Sequence, residues 1–368
     1  MGKIEINQLE FSTATPSDAA LIVELYKNVY ENSYPCPELF TKEGMAEYLD
    51  FKKSHAVTTM ITYGGALVGC VSGQMKGRAM YMRGGMVAPE WQGLLNAKKV
   101  FISLFLAYQS KFAKKVDYFY GELRTQSAKF QAILDELGWR PLALLPRKDV
   151  FFRKRESEVI YALYNTTPNV SSYILTKSAA CIVSKILGRA VQFHKSPSNI
   201  ANNTIELENP TVYCDFISQG LAYLTVELPG AKLVASICPE SRNVENVIIA
   251  TPDFHSYFAL IYWLLEEMGI RGLEYAEIYV PSNAIEQQAA LEALDFLPTG
   301  FVPHWYAPKV PQPRDCLIYT ISFTSELLEC PIILTSNGEF LRSFMTPPRS
   351  MTWELKTIFP NSMINVPY

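Results

Sequence analysis

The feature that most constrains this chain is an internal repeat. Residues 134–146 align without gaps on residues 291–303, with one aromatic residue, two prolines and two leucines in register. In each copy, a predicted strand and a predicted helix of matching length precede the aligned stretch. A chance match of two helix–turn–strand units is the alternative. The repeat predicts two copies of one α/β module.

The composition indicates packed cores and a nearly neutral surface. The chain has 368 residues, of which 49% are hydrophobic and 19% are charged, and this excludes a disordered or fibrous chain. A net charge of −3 gives no overall attraction to nucleic acid or to anionic membranes, so neither is predicted as a partner. The longest apolar runs are about half the roughly 18 residues that span a bilayer.

Cysteine and histidine usage predicts a reduced protein without a metal site. The seven cysteines are scattered and form no CxxC pair, and the four histidines lie far apart in the sequence. No ligand pair has the spacing of a zinc site, so no metal is expected. No secretory leader is recognised at residues 1–8, and we therefore expect a cytoplasmic location.

The pattern of elements and linkers divides the chain into four parts. Residues 1–152 read as strands and helices in one module, and residues 153–210 as a connecting region with one helix. Strands and helices resume over residues 211–325, in the order of the first module. Residues 326–368 contain several prolines and read as an extended tail.

Three stretches carry a resemblance to a known family. They are residues 15–19 before an apolar helix, residues 86–97 between a strand and a long helix, and residues 127–139 with their Gly138-Trp139 stop. They resemble the opening helix, cofactor loop and last helix of the GNAT superfamily, the acyl-CoA-dependent N-acyltransferases. Residues 121–125, Gly-Glu-Leu-Arg-Thr, are similar to the end of the fifth strand in a subgroup of tandem GNAT-like bacterial proteins. The resemblance covers roughly residues 10–152, and the second copy matches only by element order.

The resemblance implies an α/β (α+β) fold of two tandem GNAT-like modules, each a mixed, mostly antiparallel twisted sheet flanked by helices. It also implies acetyl-CoA or a longer acyl-CoA as co-substrate, held by the first module. Gln92 and Ala97 match the first and sixth positions of the cofactor signature, whereas Leu95 replaces its usual glycine. The alternative is a turn that merely connects a strand to a helix. The residues expected at the cofactor are Met86, Val87, Gln92, Gly93, Leu94, Leu95, Asn96, Ala97, Lys98 and Ser127.

The second module lacks such a loop. Between its strand and helix stand only Thr251, Pro252 and Asp253, with no glycine and with a carboxylate where phosphate would lie. We therefore expect this half to be a scaffold and a cleft wall without CoA.

Two residues of the fifth strand are candidates for catalysis. Glu122 is the predicted general base, because burial at the end of an apolar strand would raise its pKa toward neutrality. The alternative is a structural carboxylate paired with Arg124 or Arg83. Tyr120 lies on the same face and could replace the superfamily's usual acid, whose position holds Leu134; a core tyrosine is the alternative.

The predicted function is N-acyl transfer from a thioester to the amine of a small molecule or peptide. The thioester could belong to CoA or to an acyl carrier protein, for which the basic residues 147–148 and 153–155 offer a patch unless they form a solvated linker. A non-catalytic GNAT-like module that binds a ligand or partner is the main alternative. Thioester-linked decarboxylation on the same fold is a third.

Overall fold

The computed structural model describes residues 4–167, 173–195, 207–218, 220–305 and 313–323. The tail predicted at residues 326–368 lies outside the described residues. Within the part of the chain that is described, no helix is both long enough and apolar enough to cross a bilayer.

The first half of the chain alternates strands with helices. Its strands are β1 (Glu10–Thr13), β2 (Ala56–Tyr63), β3 (Ala66–Lys76), β4 (Ala79–Val87), β5 (Tyr118–Arg124), β6 (Arg140–Phe151) and β7 (Lys154–Tyr164). Its helices are α1 (Ala19–Tyr30), α2 (Lys42–Leu49), α3 (Phe51–Ser54), α4 (Ala97–Phe112) and α5 (Ala128–Glu136).

The second half begins with a helix and then repeats much of this order. Its helices are α6 (Lys177–Leu187), α7 (Phe254–Arg271) and α8 (Ile285–Ala293). Its strands are β8 (Thr211–Ser218), β9 (Leu221–Leu228), β10 (Ala231–Cys238), β11 (Asn243–Ala250), β12 (Tyr275–Pro281), β13 (Leu297–Trp305) and β14 (Arg314–Ser322).

All these strands form one sheet of 14 strands in the order β1-β2-β3-β4-β5-β7-β6-β13-β14-β12-β11-β10-β9-β8. Neighbours are antiparallel, except that β4–β5 and β11–β12 are parallel. The order on one side of the β6–β13 join mirrors the order on the other side. The predicted class, a mixed and mostly antiparallel sheet flanked by helices, is confirmed. The halves differ at their outer strands, because helices connect β1 to β2 whereas β8 turns directly into β9.

The sequence repeat coincides with the elements. The number of residues from the start of α5 to the start of α8 equals the number that separates the two aligned stretches. The same holds for the starts of β6 and β13. In the first half, β4 leads through a turn into α4, followed by β5, α5 and the Gly138-Trp139 stop. The resemblance to the GNAT superfamily rests on this order of elements. The predicted order is confirmed in the fold.

Strand β7 was not expected. It pairs with β6 and β5 and belongs to the sheet of the first half, so the boundary predicted after residue 152 falls in a hairpin. Phe152 and Arg153 form that turn, with φ of 51° and 62°. The prediction that a connecting region begins at residue 153 is wrong. The charged residues at the start of β7 are typical of an exposed linker, so the sequence did not indicate a strand there. Glu156 and Glu158 are nevertheless buried.

The core of the first half lies on both faces of its sheet. The apolar stripe of α4 is buried with Trp139 on one face, as its helical spacing indicates. Helices α1 and α2 pack on the other face. A further cluster joins the halves across β6 and β13 and includes Tyr120, Ile160 and Val302. The two halves therefore share buried surface where the site described below lies.

Candidate functional site

Strands β4 and β5 diverge and leave a gap in the sheet. They pair only over residues 79–81 and 118–120, although β4 continues to Val87 and β5 to Arg124. Gly84 lies in the diverging part with φ of 60°, and an added Cβ would stand 2.3 Å from the Tyr26 hydroxyl. Only glycine fits such a position. Along the gap, the inner edge of β4 has no strand partner among the described residues, so its backbone groups can bind an extended ligand.

The turn after β4 brings the N-terminus of α4 to the end of this gap. Asn96 caps the helix, since its side chain accepts a hydrogen bond from the backbone of Lys99. Gly93 has φ of 85°, and no atom lies within 4 Å of the position of an added Cβ. Ala97 and Lys98, in the first turn of this 16-residue helix, line a cavity, so the partial positive charge of the helix N-terminus borders that cavity.

Most of the residues predicted to bind the cofactor line one cavity. These are Met86, Val87, Gln92, Gly93, Leu95, Ala97, Lys98 and Ser127. Leu94 and Asn96 do not line it, because Leu94 packs in the core and Asn96 caps α4. Lys98 pairs with Glu136 on the surface, and Ser127 caps α5. That these residues bind a cofactor stays a prediction.

The cavity has a volume of about 1030 Å³ and extends from the α4 turn to the second half of the chain. Glu245 of β11 and Glu277 of β12 line its far end, together with Trp305 of β13. The second half therefore contributes side chains to this space, as a cleft wall would.

Tyr120 and Glu122 both line the cavity, but the state of Glu122 differs from the expectation. Its Oε2 accepts a hydrogen bond of 3.0 Å from Lys148 Nζ, and the Tyr81 hydroxyl lies at 3.5 Å. Burial alone would raise the pKa of Glu122, but Lys148, together with Lys76 and Arg83, outweighs burial, and the pKa is lowered. The expected rise is wrong, and neither Arg124 nor Arg83 is its hydrogen-bond partner.

Lys148 is buried at the centre of a cluster of carboxylates. Besides Glu122, its Nζ lies 3.3 Å from Glu277 and 3.7 Å from Glu245. The Lys148 side chain is only 3% exposed. Burial and Glu245 raise the pKa of Asp149 to about 7, and burial raises that of Glu277 to about 8 despite Lys148. Each of these two carboxyl groups therefore gains or loses its proton at a pH close to neutral.

Glu158 completes the cluster. It is 5% exposed, it lines the cavity, and its Oε2 has no hydrogen-bond partner among the described residues. Burial, followed by Asp149, raises its pKa well above the ordinary value. In the described part of the chain, no group of three or more His, Cys, Asp or Glu side chains is arranged to hold a metal ion.

Four aromatic side chains run along the cavity from the first half into the second. Tyr81 stacks on Tyr120 with ring centroids 4.9 Å apart, and Tyr120 meets Trp305 edge-on at 5.1 Å. Trp305 stacks on Tyr279 at 4.7 Å. We call these four residues the aromatic row. Sequence reasoning treated Tyr120 alone, because the other rings come from distant parts of the chain.

The basic residues predicted as a surface patch are mostly buried. Arg147, Lys148 and Arg155 are 4%, 2% and 8% exposed. Arg155 donates to the backbone carbonyls of Arg147 and Lys148 and pairs with Glu274. Of the five, only Arg153 and Lys154 are exposed. The patch is therefore part of the join between the halves rather than a solvated linker.

The turn before α7 differs from the turn before α4. Asp253 caps α7, since its Oδ1 accepts from the backbone of Ser256 at 2.9 Å. That hydrogen bond holds the pKa of Asp253 below its usual value. A carboxylate thus occupies the helix N-terminus, where an anionic ligand would be repelled.

Comparison with known proteins finds similar structures only. No protein-family model and no curated protein matches the chain. A putative acetyltransferase, YncA from Salmonella typhimurium, solved with acetyl-CoA, is 16% identical; the match covers 45% of this chain and 98% of that one, with a TM-score of 0.37. A ribosomal-protein-S5-alanine acetyltransferase from Vibrio fischeri is 17% identical over 45% and 97%, with a TM-score of 0.36. A putative acetyltransferase from Acinetobacter baylyi is 15% identical over 45% and 97%, with a TM-score of 0.38.

Proposed function

We propose that this protein is a GNAT-type N-acyltransferase that moves an acyl group from a CoA thioester to an amine. One observation carries the proposal. The gap between β4 and β5 opens into a cavity that is lined by carboxylates of both halves. Donor and acceptor would meet where the gap reaches Glu122.

The donor would lie along β4. Its pantetheine arm would pair with the free backbone beyond Tyr81, and its pyrophosphate would face Gly93 and the N-terminus of α4. Lys98 is half exposed in its pair with Glu136, so it can turn to a phosphate at little cost.

The acceptor must lose a proton before it attacks. The free amine then attacks the thioester carbonyl carbon, the carbon–sulfur bond breaks, and the proton that the nitrogen loses as the amide forms passes to the thiolate. Glu122 would accept a hydrogen bond from the incoming ammonium and orient it. Because the pKa of Glu122 is lowered, the proton would pass on to Asp149 or Glu277, whose pKa values near 7 and 8 suit a general base at neutral pH. Burial raises the pKa of Tyr120 well above its ordinary value, so Tyr120 would serve as a hydrogen-bond donor rather than as the acid.

The test is a screen of amines against acetyl-CoA and longer acyl-CoAs, with free thiol and amide measured in the same samples. The proposal requires an amide in amounts equal to the thiol for at least one amine. Binding of acyl-CoA without thiol release for any amine would favour a module that only binds its ligand.

A further inference from the structure

Arg83 carries a charge that no carboxylate compensates. It lies on β4 in the stretch beside the gap, and it lines the cavity. Its Nε donates to the Tyr34 hydroxyl at 3.3 Å, and its Nη2 donates to the Cys36 thiol. A guanidinium has five N–H protons, and the two on Nη1 meet no acceptor among the described residues. In the same part of the chain, no carboxylate forms an ion pair with Arg83.

The groups around the guanidinium are neutral. The ring centroids of Tyr34, Tyr48 and Tyr81 lie 5.4, 5.8 and 5.5 Å from its central carbon. Burial raises the pKa of Cys36 to about 12 and the pKa values of the three tyrosines above their ordinary value, so these groups keep their protons at neutral pH. Aromatic faces stabilise a cation but do not cancel its charge. A partly buried charge without a counter-ion in a cavity marks a place for an anion.

A second cation borders Tyr81, the first ring of the aromatic row. The Nζ of Lys76, at the end of β3, lies 4.9 Å from the ring centroid of Tyr81, and Lys76 also lines the cavity. It forms no ion pair within the described ranges. By contrast, Arg124 at the same cavity binds Glu156 through two nitrogens. Two cations without carboxylate partners therefore lie close to Tyr81.

The carboxyl groups of the cavity do not neutralise these two cations. Glu122 is held by Lys148 at 3.0 Å. Burial raises the pKa of Glu158 well above its ordinary value and that of Glu277 to about 8, so both groups are mostly protonated at pH 7. The missing negative charge has to come from a ligand.

The position of Arg83 assigns this charge to the donor rather than to the acceptor. Arg83 lies on β4, along which the donor would bind, and the Tyr81 hydroxyl next to it lies 3.5 Å from Glu122, where donor and acceptor would meet. In the sheet, β5 with Glu122 stands between β4 and β12, the strand of Glu277. An ammonium would approach from the side of these carboxylates. The side of Arg83 is left for the acyl group.

We propose that Arg83, assisted by Lys76, binds a carboxylate at the free end of the donor's acyl group, so that the protein transfers dicarboxylic acyl groups such as malonyl or succinyl. The carboxylate accepts hydrogen bonds from Nη1 of Arg83 and stays unreacted while the thioester carbon is transferred. This inference rests on the proposed acyl transfer and narrows its donor to CoA half-thioesters of dicarboxylic acids.

Calorimetric binding of malonyl-, succinyl- and glutaryl-CoA tests the subsite without catalysis. Each is compared with the neutral, branched acyl-CoA of the same shape, which for malonyl-CoA is isovaleryl-CoA. The best dicarboxylic donor should bind about 10- to 100-fold more tightly than its neutral counterpart, because it gains hydrogen bonds between charged groups.

Variants of Arg83 connect this preference to the guanidinium. Arg83→Met keeps an unbranched side chain among the tyrosines but removes the charge, so it should abolish the preference. Arg83→Lys keeps the charge without the planar fork and should retain part of it. Melting curves show whether each variant folds, and Arg83→Lys carries the test if Arg83→Met does not fold. Arg140→Met, at an exposed position outside the cavity, is the matched control.

Equal affinity for each dicarboxylic donor and its neutral counterpart would overturn the subsite. So would a folded Arg83→Met protein that keeps the preference, or an Arg83→Lys protein that keeps it in full. Titration of ω-amino acids against alkylamines of the same length examines the acceptor as the other source of a carboxylate. A preference for the amino acids that disappears in the Arg83 variants would assign the anion to the acceptor and overturn the proposal.

Assays of free thiol and amide with the same donors separate this inference from the proposed function. A preference for dicarboxylic donors without thiol or amide release with any amine refutes the transferase alone. Amide formation from acetyl-CoA without such a preference refutes the subsite alone. Failure of every acyl-CoA to bind overturns both.

Discussion

Gly300 on β13 lies opposite Ala143 on β6, and the two residues occupy equivalent positions in the sequence repeat. A Cβ added to Gly300 would stand 2.2 Å from the Cβ of Ala143. The halves therefore join at a point of local twofold symmetry, where only one of the two equivalent residues can carry a side chain. Because β6 carries Lys148 and β13 carries Trp305, this join also assembles the cavity.

Gly300→Ala should destabilise the protein by roughly 1–3 kcal/mol, because the extra methyl group overpacks the join. Urea unfolding measures the change. The exchange Ala143→Gly with Gly300→Ala removes the nearest contact and should recover part of the loss, because the Cα of residue 143 at 2.9 Å and the Leu142 carbonyl oxygen at 3.1 Å still crowd the new methyl group. An unaltered unfolding midpoint for Gly300→Ala alone would show that the strands do not approach this closely.

The repeat, the helix stripe of α4 and the order of elements could be predicted because each depends on local periodicity. Strand β7 could not, since Glu156 and Glu158 are polar and became buried only through contacts with other strands. Their burial is a tertiary effect that no local pattern encodes.

Donor binding should depend on the turn before α4. Gly93→Asp places a negative charge at the helix N-terminus and should weaken acetyl-CoA binding by tenfold or more, about 1.4 kcal/mol. Gly93→Ala is the matched control, because it introduces the same backbone strain at positive φ without the charge. If calorimetry gives both variants the same affinity as the unmodified protein, the pyrophosphate does not lie at this turn.

The second half should bind no CoA. One equivalent of acetyl-CoA per chain is expected by calorimetry, and Asp253→Ala, which removes the α7 cap, should leave that stoichiometry unchanged. Two equivalents in the unmodified protein would contradict the role of this half as a cavity wall.

The rate of acyl transfer should rise with pH. The proposed route passes the proton of the acceptor to Asp149 or Glu277, and a carboxyl group accepts a proton only when it is ionised. Burial raises the pKa of Asp149 to about 7 and that of Glu277 to about 8, so both groups become protonated as the pH falls. The single-turnover rate should therefore fall as the pH is lowered from about 9 to 6.

Single-turnover rates across this range, with the amine found in the screen, check the prediction. A rate that is constant from about pH 9 to 6 would contradict the raised pKa values.

The sequence indicated Glu122 and Tyr120 but not their surroundings. Glu122 stood out as the single carboxylate of an apolar strand, and the same reasoning applied to β12 would have found Glu277. Lys148 could not be foreseen as the partner of both, since it lies 26 residues from Glu122 and 129 from Glu277. The lowered pKa of Glu122 follows from this long-range pairing.

The most direct test of the account is the rate of acyl transfer by Glu122→Gln in a single turnover with acetyl-CoA and the amine found in the screen. The account predicts a fall of roughly 10²–10⁴, with acetyl-CoA affinity and melting temperature preserved and with Glu47→Gln, at an exposed site, unaffected. An unchanged rate in the folded variant would contradict the account, because Glu122 would then neither orient the acceptor nor pass on its proton.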